Sequence, residues 1–267
     1  MIGKKQLVVQ ISATTDIGIK RETNQDNLFV MKNVLDYPQL AHFSSAELCG
    51  TPILVAVCDG MGGGSLGERA SKLAASSLEY YNLQSLQVLK TVELIEVLKN
   101  IFMKVNYEIF EEYGVLGTLT GCTMTLLYID DKRGVVVNVG DSPCIRVDKK
   151  SCRMLTRIDN RATLLYEQGQ ISEKERWTHK TKNQLSQYLG IDTKNYNLEP
   201  HVYIEKHVKR DVSYLLCSDG VTDGVSIDEI HQMLSQEFKP DISKKLVVKA
   251  MQNGSKDNIT AIAVKIN

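Results

Sequence analysis

The stretch Ile53-Leu54-Val55-Ala56-Val57-Cys58-Asp59-Gly60-Met61-Gly62-Gly63-Gly64 decides how the chain is read. An apolar run this short, closed by Asp and Gly, predicts a strand over 53–58. Two helical segments follow it. Over 68–83, Ala70, Leu73, Ala74, Ser77, Leu78 and Tyr81 fall on one stripe. Over 91–113, Ile95, Leu98, Phe102, Val105 and Ile109 do the same. Spacing by three and four gives each helix one apolar face to bury. Thr91 is the expected N-cap of the second helix, with Glu93 in its first turn and Leu94 at the third position, which leaves no full capping box. Further strands are predicted over 7–11, 123–129, 135–139, 213–217 and 259–266, the last apolar enough for burial on both faces. Weaker helical patterns occupy 161–168, closed by Gly169, 227–234 and 242–252. Ser226 and Glu229 have capping-box spacing. Strands therefore surround a pair of adjacent helices without regular alternation, which argues against a doubly wound parallel sheet. The expected class is α+β, with helices covering mostly antiparallel sheets.

Composition narrows the function. The chain has 267 residues, with 32 Lys+Arg against 32 Asp+Glu. A net charge of zero excludes nucleic-acid binding through bulk positive charge. Hydrophobic residues at 43% exclude a disordered chain. No apolar run reaches the ~18 residues of a membrane span. Lys4 and Lys5 precede too short an apolar segment for a signal peptide. The six cysteines form no Cys-x-x-Cys pair and read as buried or incidental thiols of a reducing compartment, so a cytoplasmic location is expected. No linker, repeat or biased tract divides the chain, and residues 1–267 are expected to form one domain.

Acidic residues recur beside the predicted strands. Asp59-Gly60 follows 53–58, Asp219-Gly220 follows Leu215-Leu216-Cys217-Ser218, Asp257-Asn258 precedes the last strand, and Asp26 precedes Leu28-Phe29-Val30. Asp-Gly is also common turn chemistry, and any single site taken alone reads first as a turn. Together they allow a second reading. Carboxylates converging at one end of a sheet repel, and keeping them ionised needs a cation. Oxygen ligands suit Mg²⁺ or Mn²⁺, and no His–Cys cluster offers a zinc site.

The motifs then become specific. Gly18-Ile19-Lys20-Arg21-Glu22-Thr23-Asn24-Gln25-Asp26, Asp59-Gly60-Met61-Gly62-Gly63, Gly121-Cys122-Thr123 and Asn138-Val139-Gly140-Asp141-Ser142 stand in order along the chain. Leu155-Thr156, Asn183-Gln184-Leu185 with Leu189-Gly190, Ser218-Asp219-Gly220-Val221-Thr222-Asp223 and Asp257-Asn258-Ile259-Thr260 complete the series. In that order they resemble the metal-dependent serine/threonine protein phosphatases of type 2C, in their compact bacterial form. The resemblance implies a four-layer α/β/β/α sandwich, two mostly antiparallel sheets flanked by helices, with 157–200 as a flap beside the active site.

It also implies a mechanism: hydrolysis of phosphoserine and phosphothreonine by metal-activated water, with no phosphoenzyme. Asp59 would bridge two Mn²⁺ or Mg²⁺ ions, Asp219 and Asp257 would complete the shell of the first, and the Gly60 carbonyl with waters would serve the second. Asp26 would orient metal-bound water or contact a metal. Arg21 would clamp the substrate phosphate, since a guanidinium matches two phosphate oxygens. Gln25, Asn138, Asp141, Ser142 and Asn258 would support the site. Phosphoproteins made by a Ser/Thr kinase would be the partners of a monomeric signalling enzyme. Four positions depart from the family pattern: Gln25 in place of Glu, Met61 in place of the His of animal members, Pro143 in place of Arg after Gly140-Asp141-Ser142, and Thr118-Leu119-Thr120 where many bacterial members carry a third-metal Asp. A third-metal site of the usual kind is therefore not expected. The competing reading is a non-catalytic phosphopeptide-binding scaffold on the same fold. Retention of Asp59, Asp219 and Asp257 argues against it.

Overall fold

The computed structural model describes residues 7–31, 33–34, 42–63, 65–114, 117, 119–236 and 238–267, with the backbone alone for 33–34, 42–45 and 47. Among them, two antiparallel sheets pack face to face. The first joins, in spatial order, β10 (Cys152–Met154), β9 (Cys144–Val147), β12 (Val212–Cys217), β13 (Ile259–Ile266), β1 (Val8–Asp16) and β4 (His42–Gly50). The second joins β11 (His201–Glu205), β8 (Gly134–Val139), β7 (Met124–Ile129), β5 (Ile53–Met61), β2 (Asp26–Val30) and β3 (Asn33–Val34), and β6 (Gly121–Cys122) pairs with the end of β5.

The period of two along a strand builds the layers. Ile53, Val55 and Val57 of β5 face Ile262, Val264 and Ile266 of β13 in the inner core between the sheets. Leu54, Ala56 and Cys58 face outward, under α1 (Leu66–Ser77) and α3 (Thr91–Tyr113). On the other side Ile259, Ala261 and Ala263 are covered by α6 (Asp219–Gly224), α7 (Ile227–Leu234) and α8 (Ile242–Gln252). This is the expected α/β/β/α order, and β13 is buried on both faces as its apolar run predicts.

Three local expectations are corrected. The stripe over 68–83 is not one helix: α1 ends at Ser77, Leu78–Tyr80 tighten into a 3₁₀ turn, and α2 (Leu83–Val88) restarts behind Asn82. The Asn82 side chain accepts from the Gln84 and Ser85 amides, so a cap inside the pattern divides it. The N-cap of α3 is Lys90 and not Thr91. Glu93 then stands at the third position and accepts from the Lys90 amide at 2.8 Å. Asp219-Gly220 opens α6 behind Ser218 and is not a plain turn. At the start of α7 the expected capping box is present, with Ser226 and Glu229 bonding reciprocally. All six cysteines are free thiols, four of them buried.

Candidate active site

Segments remote in sequence meet at one end of the sandwich. β5 carries Asp59, and the register sets Asp26, the first residue of β2, directly opposite it. In the other sheet β12 delivers Ser218 and Asp219, while Asp257 and Asn258 lead into its partner β13. Each sheet thus contributes two of the expected acidic residues to one rim. Their convergence depends on glycine: a Cβ at Gly60 would collide with the Gly67 carbonyl, and one at Gly220 with the Asn258 carbonyl.

Polar side chains fasten the segments. Asn258 accepts from the Gln25 amide at 2.8 Å and donates to the Ile17 and Thr23 carbonyls at 3.0 and 2.9 Å. The Ser218 hydroxyl donates to Asp26 Oδ2 at 2.7 Å and accepts from the Thr260 amide at 3.0 Å, tying the two sheets together. Asn138 donates to the Arg157 carbonyl at 2.8 Å, and the buried Asp159 accepts from the Gly140 amide at 3.1 Å. Between them they hold the turn that carries Asp141. Ser142 is buried against the Thr123 hydroxyl at 2.7 Å, and Thr123 accepts from the Asp59 amide at 3.1 Å.

These segments enclose a cleft of about 280 Å³ lined by Arg21, Asp59, Gly60, Asp141, Asp219 and Asp257, with Gln25, Met61 and Asn258 also on its wall. Asp59 and Asp219 keep part of their surface open to the cleft, whereas Asp26 lies beneath it, 1% exposed. One oxygen of Asp26 and one of Asp219, both Oδ1, are buried without a hydrogen-bond partner. Burial, reinforced by Asp26, Asp219, Asp141 and Asp257, pushes the Asp59 carboxyl well above the usual range. Burial beside Asp141, Asp257, Asp223 and Asp26 does the same to Asp219. Burial lifts Asp26 to about 6 against the opposing hydroxyls of Thr260 and Ser218, and lifts Asp141 to about 7.

The donor set fits hard divalent cations. Its groups are oxygens, two of them orphaned, in a setting that penalises their own negative charge. Among the described residues no three His, Cys, Asp or Glu side chains close into a ready-made chelate. The carboxylates ring the cleft, an arrangement suited to ions that retain several waters.

Two of the expected residues make contacts within the protein. Arg21 reaches the cleft but pairs with Asp257 at 2.6 Å, its side chain half exposed. Its guanidinium is held in the charged form chiefly by that hydrogen bond, with Asp59 and Asp219 assisting. Gln25 directs its amide to the Gly62 carbonyl at 3.4 Å, so it braces the glycine loop. Of the third-metal positions, Thr118 lies outside the described residues, Leu119 is exposed and Thr120 is buried.

Sequence reasoning passes over Asn183 and Leu185 as site residues, yet both line the cleft. Their place in the motif series, at the border of the flap, is the available signal. Asp159 escapes it altogether. That residue lies in a polar stretch, and nothing local to it signals complete burial.

A two-sheet sandwich with acidic residues from both sheets at one rim is the arrangement that the resemblance to metal-dependent phosphatases implies. The protein phosphatase 2C family model matches residues 24–259, and the chain belongs to that family. It is 30% identical over 258 residues to the serine/threonine phosphatase Stp of Listeria innocua, covering 95% of this chain and 94% of that one. It is 27% identical over 266 residues to the protein phosphatase PhpP of Streptococcus pneumoniae, covering 97% and 98% respectively. The crystal structure of the serine/threonine phosphatase Stp1 from Staphylococcus aureus superposes with a TM-score of 0.80 at 27% identity, over 96% of this chain and 94% of that one.

Proposed function

We infer that the protein is a metal-dependent phosphoprotein phosphatase that hydrolyses phosphoserine and phosphothreonine. The observation that carries this reading is the set of carboxylates from both sheets around one cleft, with buried orphan oxygens on Asp26 and Asp219. A scaffold that merely bound phosphate would gain nothing from that accumulation of like charge, which repels an anionic ligand.

Asp59, Asp219, Asp257 and the Gly60 carbonyl would hold two Mn²⁺ or Mg²⁺ ions. When bound, such ions acidify water and offset charge on phosphoryl oxygens. The chain's own groups complete the chemistry. Asp26 is fixed on its Oδ2 side by Ser218, which leaves Oδ1 to orient a water and accept its proton. Arg21 exchanges its contact with Asp257 for two oxygens of the substrate phosphate. Asn138, Asp141 and Asn258 position these groups. Residues 157–200, which include α4 (Arg161–Glu167) and α5 (Glu173–Arg176), serve as the flap within one catalytic domain.

A cytoplasmic role opposing a Ser/Thr kinase accords with the free thiols. It accords also with the lack, among the described residues, of a helix long and apolar enough to cross a membrane. The test is hydrolysis of a phosphothreonine peptide. Protein stripped by chelation is expected to be inactive, and Mn²⁺ or Mg²⁺ to restore turnover. Full activity after complete metal removal would overturn the metal-dependent reading.

A further inference from the structure

Beside the catalytic cleft lies a second hollow of about 360 Å³, and Asp141, Asn183 and Asp219 line both. Its character differs. Pro143, Met154, Ile158, Trp177, Val225 and Ile227 make it mostly apolar. One wall belongs to the segment containing α4 and α5, the other to α6 and the start of α7. Lys182 pairs with Asp223 from the opposite wall.

Three observations set this hollow apart from ordinary surface relief. Trp177 is 44% exposed and Ile227 38%, so two large apolar side chains face water at its rim. The Trp177 ring is held beneath the Arg176 guanidinium, 4.4 Å from its centroid, and Arg176 also lies over Tyr166 at 5.1 Å. The aromatic wall is therefore preset by neighbours. Thirdly, Thr163, only 2% exposed, and Arg176 both line the hollow, and the Thr163 hydroxyl and Arg176 Nε are buried without a hydrogen-bond partner. Buried polar groups left in this state favour a ligand that satisfies them.

We propose that this hollow is the peptide-specificity subsite of the enzyme, receiving a bulky apolar side chain next to the phosphorylated residue of a phosphoprotein substrate. The proposal rests on the phosphatase reading above. Continuity with the cleft fixes the occupant: Asp141, Asn183 and Asp219 stand in the walls of both, so a peptide whose phosphate is held by Arg21 runs from the cleft into the hollow. Thr163 and Arg176 Nε then meet backbone groups of that peptide, and Trp177, Pro143 and Ile227 take the side chain. Pro143 is the residue that stands where the family pattern has Arg. A cation there would disfavour an apolar guest, and proline admits one.

The experiment uses the full chain with Mn²⁺ and phosphothreonine peptides that differ at the flanking positions, Leu or Phe against Ala. p-Nitrophenyl phosphate, too small to reach the hollow, is the reference. A Leu or Phe at one flanking position is expected to raise kcat/KM about tenfold over Ala, the usual discrimination of an apolar pocket. Trp177→Ala and Ile227→Gln, both at exposed positions, are expected to erase that preference while leaving turnover of the small ester unchanged. Thr163→Val is expected to lower kcat/KM for all peptides and not for the ester. Hydrolysis of ester and peptides with no flanking preference, or a preference that survives both rim variants, overturns the subsite. A concentration-dependent dimer abolished by Trp177→Ala, with peptide preference intact, overturns it in favour of a second copy of the chain. Absence of hydrolysis of any substrate counts against the phosphatase reading itself.

Discussion

The two ends of β7 bury acidic residues in opposite ways. Beyond Ile129, Asp130 is fully buried and fully answered. Its Oδ1 accepts from the Lys132 and Arg133 amides at 2.8 and 3.0 Å, and its Oδ2 from Arg133 Nε and the Tyr128 hydroxyl, each at 3.2 Å. Arg133 goes on to Thr91 and the Leu89 carbonyl, stapling the start of α3 to the β7–β8 turn. At the other end, beside Thr123, Asp26 and Asp219 each leave an oxygen orphaned, and among the described residues neither Asp59 nor Asp219 has an ion pair. A buried carboxylate costs free energy unless it is paired. The far end removes that cost by structure; the near end retains it, and retained electrostatic strain in a cleft marks a place where a ligand completes the molecule.

The comparison breaks most visibly under matched Asp→Asn substitutions. Asp130→Asn leaves Arg133 buried without its counter-charge, and the expected loss is about 3–5 kcal/mol of stability. In thermal melting that is a drop on the order of 10 °C, with phosphatase activity per folded molecule retained. Asp219→Asn relieves repulsion, so the metal-free protein melts no lower than wild type. Its turnover falls by more than the ~10–100-fold typical of losing an outer partner of a metal ligand. Metal titration by calorimetry, beside circular dichroism, separates the two. A folded Asp219→Asn protein with normal metal affinity and activity would erase the distinction between the ends.

How much of this contrast is legible in the sequence follows from what each end depends on. The apolar runs 53–58, 213–217 and 259–266 have the strand period, and they form β5, β12 and β13. Asp59, Asp219 and Asp257 are readable because each adjoins such a run and stands in the motif order. β4 is not readable, since Ser44, Ser45 and Glu47 break the apolar pattern of what proves to be an edge strand paired only with β1 among the described residues. β9 and β10 are too short to show a period. Asp159 is a polar residue in polar surroundings, whereas Asp130 directly follows the apolar run 123–129 and takes its partners from Tyr128, Lys132 and Arg133. The burial of Asp159 comes from tertiary partners such as Gly140, Gln187 and His201, and no local pattern encodes those.

Acidity sharpens the comparison further. Asp26 at about 6 and Asp141 at about 7 stand above the ordinary 3.8 of an unfolded Asp, so the native state binds more protons across that interval. By linkage the metal-free protein then loses stability as pH rises from about 4 through about 7. Each group contributes ~1.4 kcal/mol for every pH unit that separates its folded and unfolded titration. Asp148, held below the usual range by Arg146, acts with the opposite sign, and its contribution is lost only as pH falls. Melting in chelator is expected to give a lower transition at about pH 8 than at about pH 5.5, with Mn²⁺ reversing the order because it binds the ionised site. A metal-free melting temperature that is flat or rises across this range would show the near end to be compensated after all.

The smallest effect is expected where the near end already holds a cation of its own. Arg21 pairs with Asp257, but its side chain is half exposed, and such pairs contribute about 0–1 kcal/mol to stability. Arg21→Ala should therefore melt within a few degrees of wild type. Its consequence belongs to function. If Arg21 leaves Asp257 to meet phosphate, removing it weakens phosphopeptide turnover about tenfold or more, the equivalent of one charge-assisted hydrogen bond. Metal affinity should stay level or rise, because Asp257 loses a competitor. Lys restores charge without the two-pronged geometry, so Arg21→Lys is expected to recover part of kcat/KM and not all of it. Parallel measurement of peptide kinetics and Mn²⁺ binding in the two variants decides the matter. Unchanged kinetics in Arg21→Ala would make this residue a surface counter-ion, like the exposed Lys245 beside Asp241, and would leave recognition of the phosphate to the metal-binding groups.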